Sequence, residues 1–132
     1  MRILVDTSCW LWSLSDPERL NKKARALLSD PTQTLYLSAA SSWEIAIKAA
    51  LGKLQLPEPP EKYIPGRMAA FDILGLPIAH THALRVFSLP PHHRDPFDRI
   101  LVAQAQIEEL SILTADRLFD MYEVEIIWAG LR

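Results

Sequence analysis

Apolar and polar positions along the chain switch repeatedly between a two-residue and a three-to-four-residue rhythm. Arg2 to Val5 is a short apolar strand, closed by Asp6-Thr7-Ser8. Ser15-Asp16-Pro17-Glu18 then reads as a helix start, with a capping residue, a proline in the first turn and a Glu three positions after the Ser. Leu20, Ala24, Leu27 and Leu28 continue that helix inward, and Lys22, Lys23 and Arg25 point outward. Thr34 to Ser38 is a second strand. Ser41 or Ser42 starts a helix bearing Trp43, Ile47, Ala50 and Leu51, which Gly52 ends.

The alternation goes on through the second half. A helix is expected from about Glu61 to Ala70, a weaker proline-interrupted strand over Ile73 to Ile78, and a short helix around Thr81 to Phe87. After the Pro90-Pro91-His92-His93 loop, Asp95-Pro96 opens a long helix through Ile100, Leu101, Ala103, Ala105, Ile107 and Leu110. Ser111 to Thr114 and Val124 to Trp128 are the last strands. Strand and helix in alternation predict a mainly parallel sheet with helices on both faces, an α/β sandwich. Nothing repeats internally and the prolines mark loops, so 1–132 reads as a single domain of 132 residues.

Composition narrows the class. Hydrophobic residues are 49% and charged residues 23%, close to globular averages, which argues against disorder. No apolar run approaches the roughly 20 residues of a bilayer span. The first segment reaches Asp6 after three apolar residues, too few for a signal-peptide core, so a soluble cytoplasmic protein is expected. Cys9 is the only cysteine, which excludes an internal disulfide and a cysteine metal cluster; it reads as a small buried hydrophobe. The net charge of −2 looks unsuited to a nucleic-acid partner. Setting four acids aside as ligands of cations leaves 12 acids against 14 bases, a balance of +2, so charge permits such a partner without arguing for it.

Those four acids are Asp6, Glu44, Asp98 and Asp116. Open parallel sheets bind ligands beyond the carboxyl ends of their strands. Asp6 ends the first strand, Asp116 follows the Ile112-Leu-Thr strand, and Glu44 and Asp98 lie in the first turns of helices. All four can therefore meet on one rim. Each also has a plainer explanation. Asp6 could cap a turn, Glu44 could pair with Ser41 in a capping box or with Lys48, Asp98 could complete a box begun by Asp95, and Asp116 could cap Arg117 to Phe119. Capping, however, does not call for acids to gather, and their repulsion penalises it. Hard oxygen donors without His or Cys suit Mg²⁺ or Mn²⁺ rather than Zn²⁺. The pairs His80-Thr-His82 and His92-His93 lack ligand spacing and are expected as core and loop residues.

Four segments resemble the PIN-domain family, its VapC-type toxin branch in particular. They are Leu4-Val-Asp-Thr7, Ser42-Trp-Glu-Ile-Ala-Ile-Lys48, His93-Arg-Asp-Pro-Phe-Asp-Arg-Ile-Leu-Val-Ala-Gln-Ala105 and Leu113-Thr-Ala-Asp116. The resemblance implies a three-layer α/β/α sandwich and an endoribonuclease dependent on Mg²⁺ or Mn²⁺, with Asp6, Glu44, Asp98 and Asp116 as the metal-binding acids. It also implies support from Thr7 and Thr114, and a homodimer whose partner is a small antitoxin, received by exposed Trp43 and Leu51. Asp95 is either a fifth acid of the site or the cap of its helix. Arg94, Arg99 and Arg117 are candidates to grip RNA phosphates, or else a solvated charged face. Trp10 and Trp12 could stack on bases, although burial suits two Trp at this spacing better. Two other functions remain open: a catalytically silent RNA- or protein-binding module, and a metal-dependent phosphatase.

Overall fold

The computed structural model describes residues 1–131. Five strands, β1 (Arg2–Val5), β2 (Thr34–Ser38), β3 (Ile73–Leu76), β4 (Ser111–Thr114) and β5 (Ile126–Trp128), form one sheet in the order β3-β2-β1-β4-β5. Every neighbouring pair is parallel. The chain builds outward from β1 to β3 on one side, then returns to lay β4 and β5 on the other. The order therefore reverses between β1 and β4, where Val5 is in register with Leu113. At such a switch point the connecting loops diverge and leave a crevice at the carboxyl edge.

Side-chain alternation along the strands separates two cores. Ile3 and Val5 face one way, with Leu35, Leu37, Leu113 and Ile127, against Cys9, Trp10, Ala24, Ile45 and Ile64. Leu4 and Ile112 face the other way, against Leu101, Val102, Ala105, Phe119 and Tyr122. Both faces of the sheet are covered, which gives the three layers of the α/β/α sandwich. No helix among the described residues is long and apolar enough to cross a membrane.

The amino-terminal third departs from expectation. The closing turn expected at Asp6-Thr7-Ser8 is the start of a helix, α1 (Thr7–Ser15). The single helix expected from Ser15 is a 3₁₀ turn at Pro17–Arg19 followed by α2 (Lys22–Ser29). Thr, Cys, Trp and Ser are mediocre helix formers, so α1 owes its helicity to the burial of Cys9 and Trp10 against the sheet. The cap of α2 is Asn21. Its Oδ1 accepts from the Ala24 N–H at 2.8 Å, and its Nδ2 donates to the carbonyls of Trp128 and Gly130, both at 2.9 Å.

The remaining elements follow with small shifts. α3 (Ala39–Ala50) starts earlier than Ser41, because Ser38 is its cap and accepts from the Ala40 N–H. α4 (Pro60–Ala70) carries Pro65 inside it. Beyond β3, whose end at Leu76 precedes Pro77, come α5 (His80–Arg85) and a 3₁₀ turn at Val86–Ser88. α6 (Pro96–Glu108) ends at Glu109, which takes the left-handed conformation with φ of 57°. A 3₁₀ turn at Arg117–Met121 leads into β5. Trp10 is buried and Trp12 partly so, stacked beneath the Arg19 guanidinium at 4.4 Å, so neither is displayed for base stacking.

Candidate metal and active site

The carboxyl edge at the β1–β4 switch point carries the acids. Asp6 leaves β1 with its N–H donating to the Leu113 carbonyl at 3.0 Å. Thr114, the last residue of β4, donates its hydroxyl to Asp6 Oδ2 at 2.7 Å and accepts from the Asp116 N–H at 3.0 Å. One threonine side chain thus ties the ends of both central strands together. Thr7 donates to the Ser41 hydroxyl at 2.7 Å, which locks the start of α1 to α3. Asp6 is 6% exposed and Glu44 8%.

Electrostatics shows that the four acids share one neighbourhood. Burial, with the charges of Asp116 and Glu44 behind it, pushes the Asp6 carboxyl up to about 6; the Thr114 hydroxyl and the Thr7 N–H oppose the rise. Burial again, then the charges of Asp6, Asp95, Glu44 and Asp116, push Asp98 up to about 8. Asp98 responds to all three other members of the quartet, and Asp6 to Asp116 and Glu44. Carboxylates raised in this way are short of positive charge. Glu44 Oε2 accepts from Lys48 at 2.8 Å, the pairing its spacing allowed. That contact raises the Lys48 ammonium, and the charges of Asp95 and Asp98 add to the rise.

The plainer readings of Asp95 and Asp116 hold in part. Asp95 is the cap of α6, its Oδ1 accepting from the Phe97 N–H at 2.8 Å. Asp116 caps the following 3₁₀ turn through Oδ1, which accepts from the Leu118 N–H at 2.9 Å. Its other oxygen lies 2.9 Å from His93 Nε2. Asp95→Asn keeps a capping oxygen and removes the charge. If Asp95 is only a cap, this variant holds its melting temperature and its activity close to wild type, whereas Asp95→Ala loses about 1 kcal/mol of stability, read by chemical denaturation.

His93 corrects the expectation of core and loop histidines. It is buried, yet its Nε2 also stands 4.0 Å from Asp98 Oδ2, so it belongs to the acid cluster. Its place in the His93-Arg-Asp-Pro-Phe-Asp run was the available signal; pair spacing between histidines carried none. His82, by contrast, is a core residue held by the Ala79 N–H and Glu108. Cys9 is buried, and burial together with the Asp6 charge pushes its thiol up to about 12, where it is inert.

The three arginines divide. Arg94 is exposed. Arg117 lies 3.5 Å over the Trp128 ring and 3.6 Å from Asp120. The Arg99 guanidinium turns away from the rim and donates to the carbonyls of Pro90, Val86 and Leu89 at 2.9–3.2 Å. It works as the anchor of the loop before α6.

A parallel sheet whose switch point gathers carboxylates from β1, α3, α6 and the segment after β4 defines an α/β/α domain with an acidic site. The sequence model of the PIN domain family matches residues 3–125, and the chain belongs to that family. It is 45% identical over 60 residues to ribonuclease VapC16 of Mycobacterium tuberculosis, a match that covers 46% of this chain and 43% of that protein. The chain thus matches under half the length of that relative. Among solved structures, VapBC2 from Rickettsia felis, bound to a DNA fragment from its promoter, superposes with a TM-score of 0.75 at 11% identity, covering 98% of this chain and all of that one. DNA-bound VapBC from Salmonella typhimurium gives 0.68 at 18% identity, covering 96% and 97%. FitAcB from Neisseria gonorrhoeae gives 0.62 at 22%, covering 95% and 96%. At these identities the structures bear on the fold alone.

Proposed function

We propose that this protein is an endoribonuclease, the toxin of a toxin–antitoxin pair, that hydrolyses RNA phosphodiesters with Mg²⁺ or Mn²⁺. The observation that carries the reading is the acid cluster at the switch point, where ligand atoms of His93, Asp98 and Asp116 lie within 4.8 Å of one another and neighbouring acids add to the burial that raises Asp6 and Asp98. Oxygen donors from carboxylates fit a hard divalent ion in the crevice, whose charge would offset the burial and mutual repulsion that raise Asp6 and Asp98. When bound, such an ion supplies a nucleophilic water near neutral pH and offsets charge on the phosphate.

The chain's own groups do the rest. Thr114 and the Thr7 N–H hold Asp6 as the central ligand, and Thr7 keeps α3 in place through Ser41. Asp98 and Asp116 are the further ligands. Glu44, steadied by Lys48, orients the attacking water or binds the ion. Water attacks phosphorus, the bond to the 3′ oxygen breaks, and the proton lost by the water is returned to that oxygen. Arg94 and Arg117 remain our candidate phosphate contacts, Arg117 while also engaging Trp128 and Asp120, and Arg99 is committed to its loop.

The partner reading has a surface to rest on. Trp43 is 60% exposed, Leu51 64% and Ile47 38%, all at the solvent side of α3. Beside them a groove of about 500 Å³ runs between α3 and α4, lined by Ala46, Ala49, Ile64 and Met68. Patches of this kind on a small domain mark contacts with other chains, and we assign this one to the antitoxin. A homodimer and a cytoplasmic location follow by the same analogy.

Purified protein incubated with a mixed RNA pool and Mg²⁺ is expected to yield new RNA ends, mapped by sequencing, which EDTA prevents. Ends that persist in EDTA, or RNA left intact while a phosphomonoester is hydrolysed, would overturn the reading.

A further inference from the structure

His93 has no role in the quartet of acids, yet every polar atom of its ring and its backbone N–H are committed. The backbone N–H donates to the Tyr122 hydroxyl at 2.9 Å, and the ring Nδ1 lies 3.1 Å from the same hydroxyl. Nε2 lies 2.9 Å from Asp116 Oδ2 and 4.0 Å from Asp98 Oδ2. The ring stacks on Tyr122 with planes 9° apart and meets Phe119 at 4.6 Å. The loop that carries it is pinned independently by Arg99, through the carbonyls of Leu89 and Pro90.

The partners on either side of the ring assign a direction of donation to a neutral His93. The Tyr122 oxygen already accepts from the His93 N–H, so its single proton is free to be donated to Nδ1. Nε2 lies at hydrogen-bond distance from Asp116 Oδ2, and an ionised carboxylate only accepts, so a hydrogen on Nε2 completes that contact. With a neutral ring, the arrangement that satisfies these partners is Tyr122 O–H to Nδ1 and Nε2–H to Asp116. The Leu118 N–H holds the other Asp116 oxygen at 2.9 Å. The carboxylate is then fixed at both oxygens, each with a lone pair to spare.

We propose that His93 is a positioning residue: its Nε2–H, oriented by the Tyr122 hydroxyl, holds Asp116 beside Asp98 so that both carboxylates already face the ion site before the ion arrives. This rests on the nuclease reading of the acidic site and adds the device that assembles it. Two carboxylates brought together repel, and a free Asp116 side chain would rotate out toward solvent. A donor fixed beside them holds Asp116 in place through its near oxygen, as the Leu118 N–H holds the far one. Hydrogen bonds from behind a carboxylate ligand typically govern affinity by 10–100-fold, about the range expected here.

The test is isothermal titration with Mn²⁺ alone on the wild type and on His93→Phe, His93→Gln and Tyr122→Phe. Phe keeps the stacking and loses the donor, so its affinity should fall by about 10–100-fold. Gln restores an amide donor at similar reach and should recover most of the loss. Tyr122→Phe leaves the proton of His93 unassigned and should fall between. As a check that needs no variant, long-range ¹H–¹⁵N correlation on the wild type should find the ring proton on Nε2, with and without Mg²⁺. Unchanged affinity in His93→Phe, a Gln variant no better than Phe, or a ring proton on Nδ1 would each overturn the proposal. Wild type that binds no Mn²⁺ at millimolar concentration would instead sink the nuclease reading beneath it.

Discussion

Asp6→Asn is expected to lower RNA cleavage at saturating Mg²⁺ by about 1,000-fold or more, which is a barrier increase of about 4 kcal/mol. The size follows from where Asp6 sits. It is nearly excluded from water, it ends the central strand, and it feels the charges of Glu44 and Asp116. An amide oxygen can still accept the Thr114 hydroxyl, so the tie between β1 and β4 survives. What disappears is a full negative charge at the centre of the crevice, and with it the main attraction for a divalent ion. The same change relieves repulsion when no ion is present, so the variant's melting temperature in EDTA should equal or exceed that of wild type. Cleavage within a few-fold of wild type, measured on the same RNA pool, would remove Asp6 from the mechanism.

Without divalent ions the wild type is expected to lose stability as pH rises from about 4 to about 8, and Asp98→Asn should remove much of that loss. Both raised acids hold their protons more tightly in the folded chain than the ordinary value of 3.8 allows, Asp6 up to about 6 and Asp98 up to about 8. Their stabilising contribution is complete below pH 4, where folded and unfolded chains are both protonated. It is lost as pH climbs through about 6 and then about 8, because the folded state must ionise groups that its interior disfavours. Asp30 pulls the other way: hydrogen bonds from Thr32 lower it, so the difference between variant and wild type is the cleaner measure. At pH 8 that difference should reach about 2–3 kcal/mol, well under the full value of the shift, because the acids are coupled and Asp98 is partly exposed. Thermal unfolding in EDTA at several pH values reads it directly. Mg²⁺ at about 100 times its Kd should then add about 2.7 kcal/mol to wild type and little to Asp98→Asn. Two parallel curves from pH 4 to 8 would refute the assignment of the repulsion to Asp98.

Strand by strand, the sheet could be read before any coordinates. β1, β2 and β4 are short apolar runs closed by polar residues, and each comes out within a residue of its expected bounds, because a strand buried on both faces needs little beyond that pattern. α6 was equally plain, with Asp95 and Pro96 marking its start. α1 was not. Its residues form helices poorly, Asp6 gives it no side-chain cap, and it is held by the packing of Cys9 and Trp10 among side chains from the whole sheet and from α3 and α4.

The candidate site divides in the same manner. Asp6, Glu44, Asp98 and Asp116 were visible as acids at the ends of strands and the starts of helices, and parallel-sheet topology was enough to bring them to one rim. Arg99 and His93 exchanged the parts that local sequence suggests. Arg99 sits one residue from Asp98 and looked like a phosphate contact, but its guanidinium found three loop carbonyls that no sequence pattern marks. His93 looked like a loop residue, until the turn after β4 placed Asp116 against one nitrogen and Tyr122 against the other.

Alone, then, the sequence determined a mainly parallel sheet with helices on both faces and marked the acids as candidates, since strand and helix patterns repeat over neighbouring residues. Tertiary structure decided which donors hold those acids, since a hydrogen bond depends on angstrom-scale placement of groups that chain connectivity leaves free until the layers pack.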